Sequence, residues 1–436
     1  MRKPRSTLMT TAGMAFAAAL GLLGSIAGPS VGEAQAAPTG IRVSDGRVVE
    51  ANGNEFVMRG INHAYTWYPE QTTAIADIAA KGANTVRVVL GSGDRWTKTT
   101  ASQVSGLIGQ CKANKVICVL EVHDTTGYGE DGAATTLDKA ADYWISVKSA
   151  LEGQEDYVVV NIGNEPYGNT NASAWTGATK SAISKLRSAG LNHALMVDAP
   201  NWGQDWSGTM RANAASVFAS DPDRNTIFSI HMYGVYDTAA EVQDYLNHFV
   251  NNRLPIVVGE FGDAHSDGNP DEDAIMATAQ SLGVGYIGWS WSGNGSGVEY
   301  LDMADGFDPN SLTSWGNRFI NGANGITATS ETASIYGGGG EPGGGGDTGN
   351  GTAPNGYPYC VSGSSSDPDG DGWGWENSQS CVIPGGSADS GGGADDGTAP
   401  NGYPYCVNGS SSDPDGDGWG WENSQSCVVA GSGADS

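Results

Sequence analysis

Eight short apolar runs recur along the first part of the chain: "EFVMRGIN", "ANTVRVVL", "KVICVLEVH", "YVVVNIGNE", "HALMVDAP", "TIFSIHMY", "PIVVGEFG" and "VGYIGWSW". They are rich in Val and Ile with little polar alternation, the pattern of strands buried on both faces. Longer segments of helical character lie between them, such as "TLDKAADYWISVKSALEG" and "SAWTGATKSAISKLRSAG". Ser173 is placed to cap the second of these and Gly190 to end it. Eight strands alternating with helices over roughly 300 residues predict an α/β fold, a (β/α)8 barrel. A doubly wound open sheet is the main rival. It usually carries a Gly-rich phosphate loop after its first strand, and the sequence shows none.

The pattern stops after Tyr336. "GGGGEPGGGGDTGNG" follows, with no means of forming a core. Residues 351–382 then recur at 397–428 with one change, Ser362 becoming Asn408. Two small modules of one kind are expected, β-rich and disulfide-stapled, on Gly-rich linkers at 337–350 and 383–396, with the barrel at 37–336. At the other end, Arg2, Lys3 and Arg5 precede an apolar stretch and the small-residue site Ala34–Ala36. This order predicts an export signal over 1–36 and a secreted, extracellular protein. The apolar stretch falls short of the ~20 residues a membrane span needs, so no membrane association is expected.

Charge narrows the partners. Forty-nine acids against 21 bases give a net charge of −28. Phosphate binding requires Lys and Arg, so no nucleic-acid role is expected; a neutral substrate and a monomer are.

The barrel prediction places active groups at the C-terminal ends of strands. Those ends carry Arg87, His123, Asn164, Glu165, Asp198, His231, Tyr233, Glu260 and Trp289. Any one could be a turn residue or a satisfied buried polar group; seven strands contributing together is not explained that way. Glu165 ends the fourth strand and Glu260 the seventh, facing each other across the mouth. Paired carboxyl groups are the requirement of glycoside hydrolysis. Asn164 and aromatic surroundings would keep Glu165 protonated; Arg87, His231 and Tyr233 would keep Glu260 ionised. An ion pair of Glu260 with Arg87 that merely closes the barrel is the structural alternative.

"NEP" and "GEFG", with "VRVVL", "LEVHD", "IHMY" and "GWSW", resemble the strand ends of glycoside hydrolase family 5. "GINHAYTWYP", "LEVHDTTGYGE" and "NEPYGN" resemble its bacterial endo-β-1,4-mannanases. The resemblance implies retaining hydrolysis of β-mannan, with Glu165 as acid/base and Glu260 as nucleophile. It implies that Asn164 bonds the sugar 2-hydroxyl and that Arg87 and Tyr233 position Glu260. His123, His231 and Trp289 would shape the subsite of the distorted sugar. No cofactor for catalysis is implied. An endo-β-1,4-glucanase and a non-catalytic wall-binding protein are the alternatives. Trp67 and Trp202 sit on loops after the first and fifth strands, placed to stack on sugar rings; Trp206 is read equally as loop packing.

Each repeat holds one cysteine pair, Cys360 with Cys381 and Cys406 with Cys427. Closing a loop of about 20 residues is worth ~3 kcal/mol. Tyr357, Tyr359, Trp373 and Trp375, and again Tyr403, Tyr405, Trp419 and Trp421, are more aromatics than so small a module can bury, and predict a stacking strip. "YPYCV…GWGWENSQSCV" resembles the family 10 carbohydrate-binding modules, implying cellulose as a partner. Those modules carry two disulfides. Here Asp367, Asp369 and Asp371, and Asp413, Asp415 and Asp417, alternate before a glycine like the start of a calcium loop. Either a structural calcium replaces the second bridge or the segment is a solvated acidic turn. Cys111 and Cys118 are read as a bridge or as two buried thiols.

Overall fold

Each of the eight apolar runs becomes a strand, and every residue of those strands is buried. After a short hairpin, β1 (Arg42–Ser44) with β2 (Arg47–Val49), come β3 (Arg59–His63), β4 (Thr85–Leu90), β5 (Ile117–Val122), β6 (Val158–Asn161), β7 (Ala194–Asp198), β8 (Thr226–Met232), β9 (Ile256–Phe261) and β10 (Gly285–Gly288). All eight pair in parallel, and β10 returns to β3 to close the barrel. The computed structural model describes residues 40–295, 297–337, 373–376, 379–382, 406, 419–422 and 425–429. The expected export signal, the linker at 383–396 and all of the first linker but Gly337 lie outside them. The chain divides into two units, Met1–Glu331 and Thr332–Ser436. No described helix is long and apolar enough to cross a membrane.

Helices follow the strands in turn, and side-chain caps fix several of their starts. Thr100 and Gln103 form a reciprocal capping box, and Thr136, Thr238, Asp271 and Thr313 each accept from a backbone N–H of the first turn. The expected cap at Ser173 is not made. That residue lies inside a 3-10 turn, Ala172–Ala174, that runs directly into the helix Trp175–Ser188. The turn supplies the helix entry, so no side-chain acceptor is used. The expected stop holds: Gly190 has φ +77° just past that helix.

The helix layer also braces the barrel mouth. The buried indoles of Trp144 and Trp175 donate to the carbonyls of Ile162 (2.9 Å) and Asp198 (2.8 Å), satisfying main-chain groups where strands end. Cys111 and Cys118 are buried and unbridged; burial, then a hydrogen bond with Cys111, pushes the Cys118 thiol well up.

In the C-terminal unit, β11 (Trp373–Glu376) pairs antiparallel with β12 (Gln379–Val382), and β13 (Trp419–Glu422) with β14 (Gln425–Val428). Cys406 is bridged to Cys427, and its N–H bonds the carbonyl of Val428 at 2.8 Å. Cys381 is also disulfide-bonded, while Cys360 lies outside the described residues. The register pairs Trp373 with Val382 and Trp375 with Ser380. Trp419 and Trp421 repeat this. Tyr357, Tyr359, Tyr403, Tyr405 and the six alternating aspartates lie outside the described residues.

Candidate active site

Arg87 organises the mouth of the barrel. It is fully buried in β4, and all five of its N–H donors are used. Nε reaches Asn161 Oδ1 (2.9 Å). Nη1 reaches Asn62 Oδ1 (2.9 Å) and Glu260 Oε1 (2.7 Å). Nη2 reaches Asn164 Oδ1 (2.7 Å) and Asp198 Oδ2 (3.1 Å). Burial alone would lower its pKa; Glu121, Asp198 and Glu260 outweigh this and raise it. One guanidinium thus fixes five side chains from four other strands or their ends.

Glu260 stands in β9 with both oxygens engaged. Oε1 accepts from Arg87 and Oε2 from the Tyr233 hydroxyl at 3.0 Å. Its position depends on a bulge. The β8–β9 register runs from Ile230↔Val258 to His231↔Glu260, leaving Gly259 unpaired. A Cβ on Gly259 would lie 2.2 Å from Ser229 Oγ. The glycine therefore admits the bulge, and the bulge brings Glu260 level with His231. Burial raises the Glu260 pKa; His231 and Arg87 pull it down, and Glu165 adds to the rise. The neighbours expected to hold it ionised are in place, but burial wins over them. Burial, then the Glu260 charge, raises Tyr233 well above its usual value, which keeps its hydroxyl a donor.

Glu165 follows β6 on a left-handed residue, φ +40°. Gly163 permits the approach of this turn to Thr125; a Cβ there would lie 2.6 Å from its Oγ1. Glu165 Oε1 meets His231 Nδ1 at 2.8 Å, and its backbone N–H reaches Asp198 Oδ2 at 3.3 Å. One oxygen each from Glu165 and Glu260 and a ring nitrogen of His231 lie within 4.8 Å of one another. Such a trio could bridge a cation. Arg87 and Tyr233, however, already donate to both oxygens of Glu260.

His231 is fully buried between Glu165, Glu260 and Asp198. It contacts both carboxylates, as expected of a group that holds Glu260 ionised. Its ring is fully buried, which leaves it no face for the sugar subsite that the resemblance implies for it. Burial would lower its pKa, but Glu260 and Asp198 and the hydrogen bonds to Asp198 and Glu165 push it up to about 10. Asp198 is held at about 2: burial opposes ionisation, and His231 and Arg87 overcome it. Elsewhere, burial holds His63 and His193 neutral, at about 4. These shifts set a pH window for stability. His231 carries a raised pKa, so its contribution is full below about pH 6.5 and is lost as pH rises toward 10. His63 and His193 have lowered values, so the unfolded chain takes up their protons first and stability falls as pH drops from 6.5 to 4. Urea unfolding of the full chain is expected to show greatest stability near pH 6.5, with losses on the order of a few kcal/mol on each side. Flat stability from pH 6.5 to 9 would contradict the charged His231.

Aromatic side chains flank the acids on two sides. On one, Trp289 stacks on His123 (5.8 Å, 23°), and Trp67 and Trp96 meet the same ring edge-on or tilted at 5.0 and 5.3 Å. His123 Nδ1 bonds Glu121 at 2.9 Å, and the peptide after Trp289 is cis. On the other side a cleft of about 260 Å³ is lined by Glu165, Trp202, Trp206, Tyr233, Gln204, His265 and Asp267, among others. Trp206 is 59% exposed and belongs to this wall. Asn164 is buried, its amide donating to Thr126 Oγ1 at 2.9 Å.

Sequence reasoning missed Asn62, Trp96, Glu121 and Asn161. Glu121 offered a signal, as a lone acid inside "ICVLEV". Asn62 and Asn161 end apolar runs in the same way as the predicted site residues. Trp96 gave none.

Residues 49–295 match the sequence model of "Cellulase (glycosyl hydrolase family 5)", and residues 351–383 and 397–429 match "Cellulose or protein binding domain". The mannan endo-1,4-beta-mannosidase of Streptomyces lividans is 80% identical over 386 residues, 88% of this chain and 99% of that protein. The mannan endo-1,4-beta-mannosidase of Cellvibrio japonicus is 52% identical, over 80% of this chain and 81% of its own length. Among solved structures, the beta-mannanase from Streptomyces thermolilacinus with mannohexaose superposes with a TM-score of 0.68 at 59% identity, covering 69% of this chain and 99% of that one. The barrel, the paired glutamates on its fourth and seventh strands and these likenesses agree: the chain belongs to glycosyl hydrolase family 5.

Proposed function

We propose that the protein is a secreted endo-β-1,4-mannanase that hydrolyses internal bonds of mannan, glucomannan and galactomannan with retention of configuration. The substrate is carried by one observation, the 80% identity with a mannan endo-1,4-beta-mannosidase along almost all of that protein. Retention is supported by one oxygen of Glu165 and one of Glu260 lying within 4.8 Å of each other. Retaining enzymes hold their carboxyl groups about 5–5.5 Å apart, and inverting ones need roughly 6.5–9.5 Å to admit a water.

In the first step Glu260 attacks the anomeric carbon while Glu165 gives its proton to the glycosidic oxygen. The bond to the leaving chain breaks and a glycosyl ester on Glu260 remains. In the second, Glu165 takes a proton from water, the resulting oxygen attacks the same carbon, and the Glu260 carboxylate departs. A protonated Glu260 would have to displace Arg87 or Tyr233, since each of its oxygens already accepts a donor; this favours the ionised nucleophile. Asn164 spends one amide N–H on Thr126, leaving the other for the sugar 2-hydroxyl. Trp67, His123 and Trp289 would hold the sugar on the nucleophile side, and Trp202 and Trp206 the leaving side. The match of both tail repeats to a cellulose or protein binding domain supports anchoring to cellulose, where two linked sites add by avidity. The ordered charge, apolar and small-residue segments of 1–36 support export.

Reducing-sugar release from mannan, galactomannan and carboxymethylcellulose tests this reading, with NMR of the first anomer formed. Mannan and galactomannan are expected to be cleaved with a β anomer first. Activity on the cellulose derivative alone would overturn the substrate, and an α anomer would overturn retention.

A further inference from the structure

Glu130 lies on the loop after β5, outside the catalytic group, and ties two other loops together. Its Oε2 accepts the Trp202 indole N–H at 2.8 Å. Its Oε1 accepts the Thr170 N–H at 2.8 Å and the Thr170 hydroxyl at 3.1 Å. Thr170 belongs to the loop that begins with Glu165, and Trp202 to the loop after β7. Every donor that meets Glu130 is thus on an element that lines the leaving side of the cleft.

The packing around this contact leaves little room for another arrangement. A Cβ on Gly127 would lie 2.3 Å from the Trp202 ring. A Cβ on Gly168 would lie 2.6 Å from Glu130 Oε2 and 3.0 Å from Trp202 Nε1. Trp202 itself has φ +54°, a conformation that bulky residues hold only when their surroundings fix it. The indole has a single donor, and Glu130 takes it. The hydrogen bond from Trp202 first, then one from the Asn169 backbone, keeps the carboxyl below its usual range, so it accepts as an anion at neutral pH.

We infer that Glu130 is a positioning residue for substrate on the leaving-group side: it orients the Trp202 platform relative to the Glu165 loop, and so sets how much the enzyme gains from sugars beyond the cleaved bond. The inference rests on the mannanase reading above. A platform held at the right angle stacks on a ring without losing rotamer freedom on binding, which is where preorganisation gains affinity.

The test compares two substrates of the full chain. Mannohexaose places sugars on the leaving side; β-mannobiosyl fluoride places none there. In Glu130→Gln the amide can still accept on one oxygen but turns a donor toward either the indole or Thr170. The selectivity ratio, kcat/KM on mannohexaose over that on the fluoride, is expected to fall about tenfold, mainly through KM, the scale of one lost charge-assisted hydrogen bond. Trp202→Ala is expected to lower the same ratio, and the double variant to fall no further than Trp202→Ala alone. Equal losses on both substrates, no loss, or additive losses in the double variant would each overturn the inference. If Glu130→Gln does not fold, Glu130→Asp, which keeps the charge but is one methylene too short, carries the same comparison. Wild-type protein inactive on both substrates would instead sink the mannanase reading.

Discussion

Glu260→Ala is expected to lower kcat on mannan by on the order of 10⁴–10⁶-fold, and Glu165→Ala by roughly 10²–10⁴-fold. The difference follows from what each group does. Without Glu260 no covalent intermediate forms at all. Without Glu165 the nucleophile remains, and only proton transfer is lost. A substrate whose leaving group needs no proton should therefore separate them. β-Mannobiosyl fluoride is expected to recover the first step in Glu165→Ala, leaving the glycosyl ester to accumulate as a burst. Azide should then release it as a β-mannosyl azide, attacking from the face that water would use. In Glu260→Ala azide can only attack the substrate directly, and any product should be the α azide. Product NMR distinguishes the two. A β azide from Glu260→Ala and an α azide from Glu165→Ala would exchange the assigned roles.

Neither variant should unfold the protein. Glu165 sits at the cleft with one oxygen held by His231. Removing Glu260 frees one Arg87 donor but leaves that guanidinium its bonds to Asn62, Asn161, Asn164 and Asp198. Both variants are expected to stay folded, with Glu260→Ala melting at a lower temperature because Arg87 and His231 lose a buried counter-charge.

The barrel was legible because its signal is repetitive. Each strand is buried on both faces, so each reads as an apolar run, and eight in alternation leave few other folds. The two glutamates were legible because each interrupts such a run at its end, where the fold opens to solvent. What joins them was not legible. Their alignment depends on Gly259 being skipped in the β8–β9 register, a two-strand property that neither strand's sequence displays. The five partners of Arg87 come from positions between Asn62 and Glu260, and only the closed barrel brings them to one guanidinium. Glu130 is an ordinary exposed acid in a Gly-rich loop until Trp202, from two strands further on, donates to it. The failed cap at Ser173 has a similar origin. A local rule gave the right helix, but the preceding turn had already supplied its start.

Arg87 is where stability and catalysis meet, and its replacement should show both. Arg87→Met keeps much of the volume and removes every donor. Oxygens of Asn62, Asn161, Asn164, Glu260 and Asp198 lose their partner in a buried site. Breaking a buried ion pair from one side costs about 3–5 kcal/mol, because the remaining charge stays desolvated. For a domain of this size that corresponds to a drop in melting temperature on the order of 10 °C. Arg87→Lys restores the charge but not the fork: one ammonium cannot reach five acceptors on four other strands at once. Lys is therefore expected to recover part of the stability and little of the activity. The pH–rate profile carries the independent test. Arg87, after His231 and ahead of His123, lowers the Glu260 pKa against burial. Moving the positive charge away should raise that pKa further, shifting the acid limb of kcat/KM to higher pH in Arg87→Lys. If instead the limb stays in place while the melting temperature falls, Arg87 merely closes the barrel, and the ionisation of Glu260 is set by His231 and His123.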